Sequence, residues 1–271
     1  ATAAIAAENP DGVVAEELPK VRSDMNQITI WKLSPLGETL ATYLSPQTSP
    51  ALVSAISVNS SGVSLVGVMA DRPFLVSASP AGVFTKPLFI GTNKSVLNAV
   101  VRSPDGSVNL FGESSETLGG KKLAGTRDGI LVKVNKAGAV TNVVRSSATK
   151  AQRSWLAADS TLTLTGYVKS GRVVESAFTK FNSSLAPTWT TRIPSTGTST
   201  VLTAAGTTYG ALSSNSAIKG VTGWKPTTPT LLLATFTSKG VMTGAYADSQ
   251  LSAPISLVYT KELGLCGLSR G

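Results

Sequence analysis

The sequence contains no histidine and only one cysteine, Cys266, among its 271 residues. Without histidine, a Ser-His-Asp triad, an imidazole general base and most zinc sites are excluded. A single cysteine cannot form an internal disulfide, so disulfides give no information about the compartment. We therefore predict no metal site, no cofactor and no catalytic residues.

Charged residues are also scarce, at 14% of the chain, and no run of eighteen apolar residues is present. The absence of such a run predicts no transmembrane helix. The net charge is +9, which gives a basic pI, but the lysines and arginines are scattered singly. A nucleic-acid-binding protein would cluster them with aromatic residues, so we predict no nucleic-acid partner.

No stretch shows a helical period over three turns; repeated turns are present instead. Each copy of the first turn follows an apolar run, and the copies recur at intervals of roughly 45 to 56 residues. Glycine supplies the positive φ that tight hairpins need. The copies are residues 34–38, 79–83, 135–139 and 237–241, with a weaker one that lacks glycine at 182–186.

A second turn is interleaved with the first. Clear copies are Asn59-Ser60-Ser61-Gly62, Ser103-Pro104-Asp105-Gly106 and Ala158-Asp159-Ser160, each before a short apolar strand that ends in glycine. Two fainter copies lie near residues 204–206 and 260–262, and another opens the chain at residues 9–12. The flanking runs alternate apolar with polar residues, which is typical of half-buried strands.

One unit is therefore two hairpins, the length of a four-stranded propeller blade. We predict an all-β fold, a β-propeller of four-stranded antiparallel blades in a single domain, 1–271. The alternative is a sandwich or solenoid with coincidental turns. The preferred count is six blades, or seven if more is missing. The expected units are a half-blade 1–26 and blades at about 27–71, 72–128, 129–176, 177–229 and 230–271.

The third unit carries a family resemblance. An apolar strand ending in glycine (LFG, 110–112), a glycine-rich loop and the strand Asp128-Gly-Ile-Leu-Val-Lys-Val resemble secreted bacterial β-propeller repeat proteins with a DGFLVKLD-like strand. The resemblance implies this fold and export from the cytoplasm. It implies no activity, because propellers carry many functions.

The first 26 residues hold only half of a blade, so we expect an upstream segment to be missing. It would be a cleaved signal, a membrane anchor or the first half of that blade. An anchor would make the protein membrane-associated.

Two intervals in the repeat are about ten residues longer than the others. We place the extra residues between the last strand of one blade and the first of the next, at 113–127 and 213–229. Equivalent insertions in repeat proteins map to one face, often the binding face. The predicted binding residues on these loops are Lys121, Lys122, Arg127, Lys219, Trp224 and Lys225. Trp224 is either an interface anchor or folded back on its own blade.

Two functions fit these features. The first is a non-catalytic extracytoplasmic binding or scaffold domain, secreted or on the outer face of the cell membrane, so we predict that the chain is not an enzyme. Its partner would be another exported or membrane-complex protein, or an anionic cell-wall polymer.

The alternative is a carbohydrate-active enzyme, a glycosidase or lyase, that uses the central channel. It requires converging carboxylates, such as Glu16 with Glu17 or Glu113 with Glu116, or a tyrosine with an arginine.

Overall fold

The computed structural model describes residues 26–224 and 226–270, and every regular element in them is a β-strand. No helix in this part of the chain could cross a membrane. The chain divides into two compact units, Ala1–Leu52 and Val53–Gly271.

The described part of the first unit contains one antiparallel hairpin. Its strands are β1 (Thr29–Leu33) and β2 (Thr39–Leu44), and Thr29 pairs with Leu44 at the open end. The connecting turn is the first copy of the predicted series: Ser34 N–H donates to the Glu38 carbonyl, and Gly37 has a φ of 84°.

The second unit is built from four four-stranded antiparallel sheets, in which consecutive strands are neighbours. They form a β-propeller arrangement with four blades. The predicted count of six blades is not confirmed. Sheet 1 is β3 (Ala51–Asn59), β4 (Gly62–Met69), β5 (Arg72–Ala78) and β6 (Leu88–Phe89); sheet 2 is β7 (Ser95–Arg102), β8 (Val108–Ser114), β9 (Asp128–Val134) and β10 (Val140–Ser146). Sheet 3 is β11 (Gln152–Ala158), β12 (Thr163–Ser170), β13 (Val173–Phe181) and β14 (Pro187–Pro194); sheet 4 is β15 (Ser199–Ala204), β16 (Thr207–Ser214), β17 (Thr230–Phe236) and β18 (Met242–Asp248). A further hairpin follows, β19 (Ala253–Thr260) and β20 (Gly264–Arg270).

The core lies between successive sheets. The first strands of sheets 2, 3 and 4 each contact the preceding sheet: β7 contacts β4, β11 contacts β8, and β15 contacts β12. The second strand is the most buried, and every residue of β8 is buried. Three apolar clusters fill the spaces between the sheets, around Leu110, Trp155 and Phe178. The fourth strands, such as β10, carry exposed residues and form the outer edge.

The sheets differ from the expected repeat units by two strands. The unit expected at 129–176 joins β9 and β10 to β11 and β12, whereas β9 and β10 belong to sheet 2 and the other two strands to sheet 3. A cyclic repeat looks the same from any starting point, and both hairpins of the unit have similar turns. Only the packing between strands decides which hairpins share a sheet.

The glycine that ends the repeated strand motif has a steric role. In sheet 2 it is Gly112, and in sheet 3 it is Gly166. A Cβ at Gly112 would collide with the carbonyl oxygen of Val96, and one at Gly166 with that of Ser154. At both places the first strand of the sheet has an irregular register that brings this carbonyl close, as expected for a β-bulge.

Replacement of Gly166 by alanine is expected to destabilise the protein by about 3 kcal/mol or more, because the collision is with backbone. The equivalent glycine of the β19–β20 hairpin, Gly267, is the matched control. Its nearest neighbour would be the flexible side chain of Leu257 at 3.3 Å. The Gly267→Ala cost should stay within about 0.5 kcal/mol. Urea denaturation of the two variants measures the difference; equal costs would show that the close carbonyl is not the reason for the glycine.

Candidate functional site

Two long loops lie on the same face of the propeller, because both connect the second strand of a sheet to the third. One joins β8 to β9 in sheet 2, and the other joins β16 to β17 in sheet 4. In sheets 1 and 3 the same connection is a two-residue turn, Ala70-Asp71 and Gly171-Arg172. The sequence prediction placed these insertions between blades, and this is wrong: they lie inside the second and fourth sheets.

The loop of sheet 2 is held in place by a buried carboxylate, Asp128. This carboxylate accepts the backbone N–H groups of Ala124 (3.0 Å) and Gly125 (2.8 Å) and the Nε–H of Arg145 (2.8 Å). Arg145 also donates from Nη1 to the carbonyl of Glu116 at 2.8 Å. Burial alone would raise the pKa of the Asp128 carboxyl, but hydrogen bonding from the Ser147 side chain, together with the bonds from Ala124, Arg145 and Gly125, outweighs burial and lowers that pKa.

At the base of this loop, three polar side chains meet. Glu113 lies near the end of β8, Arg127 directly precedes β9, and Tyr167 lies on β12 of the neighbouring sheet. Arg127 Nη1 is 2.6 Å from Glu113 Oε1. The hydroxyl of Tyr167 donates to Glu113 Oε2 at 3.3 Å. The carboxylate therefore holds a guanidinium on one oxygen and a phenol on the other.

The cluster is open on one side. The Glu113 side chain is only 11% exposed, whereas that of Arg127 is 45% exposed. Burial raises the pKa of Tyr167, and the neighbouring negative charge of Glu113 raises it further, although Arg127 opposes this. Tyr167 is therefore a protonated hydrogen-bond donor at neutral pH, beside a guanidinium that reaches solvent.

The predicted carboxylate pair, Glu113 with Glu116, does not share this site. Glu116 accepts Thr92 N–H at 2.7 Å, the Thr92 hydroxyl at 3.0 Å and the Ser95 hydroxyl at 2.7 Å. Burial would raise the pKa of Glu116, but the hydrogen bonds from Ser95 and Thr92 lower it. These bonds fasten the loop to β7 and to the connection between sheets 1 and 2. The other pair, Glu16 with Glu17, lies outside the described residues.

The predicted loop residues occupy different environments. Lys121 and Lys122 are exposed and line a shallow groove beside Arg145. Lys219 is exposed on the loop of sheet 4. Trp224 folds back: it packs on the cluster around Phe178 and donates from Nε1 to the Ser216 carbonyl at 2.8 Å. Lys225 lies outside the described residues.

Of the predicted binding residues that the structure describes, only Arg127 belongs to the three-residue cluster. Tyr167 was missed by the sequence analysis, although a signal for it exists. In the four sheets, the residue after the motif glycine is Val68, Glu113, Tyr167 or Ala211. Two copies are small and apolar, and the other two are the acid and the phenol that meet across neighbouring sheets. An alignment of the repeats at this glycine would have singled them out.

The chain matches no protein-family description and no curated protein sequence. Among solved structures it is similar to the GH43 BlXynB protein from Bacillus licheniformis, with a TM-score of 0.37 and 12% identity over 82% of this chain and 49% of that one. It is also similar to Kluyveromyces lactis Hsv2, with a TM-score of 0.32 and 12% identity over 81% of this chain and 72% of that one. The chain thus spans about half the length of BlXynB.

The first of these matches corrects one prediction. The prediction that the chain is not an enzyme is contradicted, since a GH43 protein is among the solved structures to which it is similar. At 12% identity the match assigns no activity to the chain.

Proposed function

We propose that the protein is a carbohydrate-active enzyme of the lyase type, which cleaves an acidic polysaccharide by β-elimination. The observation that supports this is the Glu113 carboxylate bonded to both Arg127 and Tyr167. Elimination next to a uronate carboxylate needs a cation, a base and an acid, and the cluster contains one side chain suited to each role.

In the proposed reaction, Arg127 pairs with the uronate carboxylate and stabilises the negative charge that develops when the neighbouring C5 proton leaves. Glu113 takes that proton as the general base. The C5 electrons form the C4–C5 double bond, the C4–O bond breaks, and Tyr167 donates its phenolic proton to the departing oxygen. The hydrogen bond between the two side chains then returns the proton from Glu113 to Tyr167 and restores the starting state.

The raised pKa of Tyr167 fits the role of general acid, because it keeps the phenol protonated at neutral pH. Glycosidic-bond hydrolysis fits the residues of this site less well than elimination does. A glycosidase generally needs two carboxyl groups that face one sugar. Among the described residues, the neighbouring carboxylates of Glu116 and Asp128 are already engaged by hydrogen bonds that hold the loop.

The substrate in this proposal is an extended anionic polymer of the kind found in cell walls. Lys121 and Lys122 lie on the same loop as Arg127 and add positive charge beside the cluster. The predicted loop-binding surface thereby becomes the substrate-binding surface. We further propose that the protein acts outside the cytoplasm, where such polymers occur, as the resemblance to secreted bacterial propeller repeat proteins implies.

The test is an assay of the purified protein on polyuronates of different composition, such as polygalacturonate and alginate, with a neutral β-glucan as control. We expect product with the ultraviolet absorbance of an unsaturated uronate, and fragments that mass spectrometry shows to lack one water relative to hydrolysis products. Absence of unsaturated ends on every polyuronate, or release of saturated ends only, would contradict the proposal.

A further inference from the structure

Sheet 1 differs from the other three sheets in its outer strand. β6 has only two residues, and it pairs with β5 only through Phe74 with Phe89 and Leu75 with Leu88. The outer strands of the other sheets have seven or eight residues. Pro87 directly precedes β6 and has no N–H to extend the ladder. Before β6, Phe84 forms a bridge with Ala78, and Thr85 N–H donates to the Ser77 carbonyl at 2.8 Å, so the outer edge of the sheet is interrupted at residues 86–87.

A cleft lies between sheets 1 and 2, beside this interrupted outer strand. Its volume is about 630 Å³, within the range of about 300–1,000 Å³ typical of small-molecule sites. Leu75, Leu88 and Val108 form apolar parts of its wall. Because Val108 and Glu113 lie at opposite ends of β8, a rise of about 3.4 Å per residue separates the cleft from the proposed active site by roughly 17 Å.

The charges around the cleft are mostly positive. Lys86, Lys136 and Arg102 line it with a single carboxylate, Asp105. That carboxylate is engaged by its own turn, since it accepts the N–H (2.9 Å) and the hydroxyl (2.7 Å) of Ser107. The positive charge of the two exposed lysines and Arg102 is therefore only partly offset by this one carboxylate.

Arg102 is fixed at the inner wall. Its Nε donates to the Ser61 hydroxyl at 2.9 Å, its Nη2 to the Ser61 carbonyl at 2.8 Å and its Nη1 to the Ser64 hydroxyl at 3.0 Å. These bonds hold the guanidinium in one orientation, as a preorganised charge rather than a flexible one.

Hydroxyl groups complete the wall. The Ser79 hydroxyl oxygen accepts Val83 N–H at 3.2 Å, and that of Thr85 accepts Ser77 N–H at 3.0 Å. Each oxygen is thereby oriented, and each O–H remains able to donate to a bound molecule. None of the described residues that line the cleft is aromatic, so the cleft offers no ring on which a planar base would stack.

We infer that this cleft binds a carboxylate-bearing monosaccharide unit. The lysines and Arg102 would hold the carboxylate, the Ser79 and Thr85 hydroxyls would bond to the sugar hydroxyls, and the apolar wall would contact the C–H face of the ring. This inference stands on the cleft alone and does not depend on the elimination chemistry of the Glu113 cluster.

The test is an NMR titration of the ¹⁵N-labelled protein with galacturonic acid, which has no glycosidic bond and so is not cleaved. Galactose and inorganic phosphate are the comparison probes. We expect galacturonic acid to shift the amide signals of Gly106 and Gly138 in the cleft wall, with much weaker effects of the other two probes. Equal shifts with galactose, or shifts with phosphate alone, would overturn the inference, as would no shift with galacturonic acid.

The double variant Lys86→Ala/Lys136→Ala should weaken galacturonic acid binding by roughly tenfold or more, a loss of about 1.4 kcal/mol. Replacement of Lys239, which is exposed in the corresponding turn of sheet 4, by alanine is the control and should leave the affinity unchanged. Unchanged binding by the double variant would contradict the site. The Tyr167→Phe variant should bind galacturonic acid at the cleft as tightly as the wild type. Loss of the elimination activity and loss of cleft binding can therefore be distinguished.

Discussion

Replacement of Asp128 by asparagine is expected to lower the free energy of unfolding by about 3–5 kcal/mol. The side chain of Asp128 is fully buried, and that of its partner Arg145 is only 7% exposed. Asparagine keeps the size but removes the charge, so the Arg145 guanidinium is left buried without its counter-ion. The loss should appear as a lower urea midpoint with an unchanged dependence on urea concentration.

The control for this variant is Glu175→Gln. Glu175 and Arg192 form a longer ion pair, 3.7 Å, whose side chains are 27% and 47% exposed. Such a pair contributes less than about 1 kcal/mol. If Asp128→Asn and Glu175→Gln cost the same, the loop of sheet 2 is not held by the Asp128 carboxylate.

The Asp128→Asn variant should also differ from the wild type in how its stability depends on acid pH. The folded-state pKa of Asp128 is lowered, so its contribution to stability is present above the unfolded pKa, about 3.9. That contribution is lost as the pH falls through the folded pKa. Below about pH 4 the wild type should therefore lose more stability per pH unit than Asp128→Asn.

Replacement of Tyr167 by phenylalanine is expected to reduce kcat on the polyuronate substrate by about 10²–10⁴-fold. The change removes only the hydroxyl that donates to Glu113 and leaves the ring in place. KM should change little, because Arg127 and the loop lysines remain to bind the substrate. Steady-state kinetics of unsaturated product formation measure both parameters.

Tyr246→Phe is the matched control, because that side chain is 65% exposed on the outer strand of sheet 4. It should retain the wild-type kcat. Glu113→Gln should lose as much activity as Tyr167→Phe, and the double variant little more, since the two residues act as a unit. A Tyr167→Phe enzyme with wild-type kcat would remove Tyr167 from the mechanism.

The turns of this fold could be predicted because they depend on local chemistry. In the turn after β9, the Asn135 side chain accepts the N–H groups of Ala137 and Ala139, and Gly138 has a φ of 82°. The weak copy without glycine has the same form, with Leu185 at a φ of 62°. Asn182, which begins this copy, accepts the N–H groups of Ser184 and Ala186 in the same way. These bonds maintain the turn although leucine stands where the other copies have glycine.

The grouping of hairpins into sheets could not be predicted from the same information. Both turn series are compatible with either grouping, and the choice depends on long-range contacts such as those of β7 with β4 and β11 with β8. The predicted position of the enlarged loops was wrong for the same reason. Once the grouping is known, both loops fall between a second and a third strand.

The candidate site escaped the sequence analysis because its members are far apart in the chain. Glu113 and Tyr167 belong to different sheets and meet only because each follows the motif glycine in its own repeat. Arg127 was predicted as a loop cation, without its carboxylate partner. Trp224, which the sequence left open between an anchor and a packed residue, is packed by its indole against the core of sheet 4.

The most direct measurement is a crystal structure of the Glu113→Gln variant with a saturated trigalacturonate, since this variant should bind the substrate without cleaving it. We predict that a uronate carboxylate lies within hydrogen-bonding distance of Arg127 and that the glycosidic oxygen faces the hydroxyl of Tyr167. A trisaccharide bound only in the cleft beside Lys86 and Lys136, or one turned with its carboxylate away from Arg127, would contradict the proposed active site.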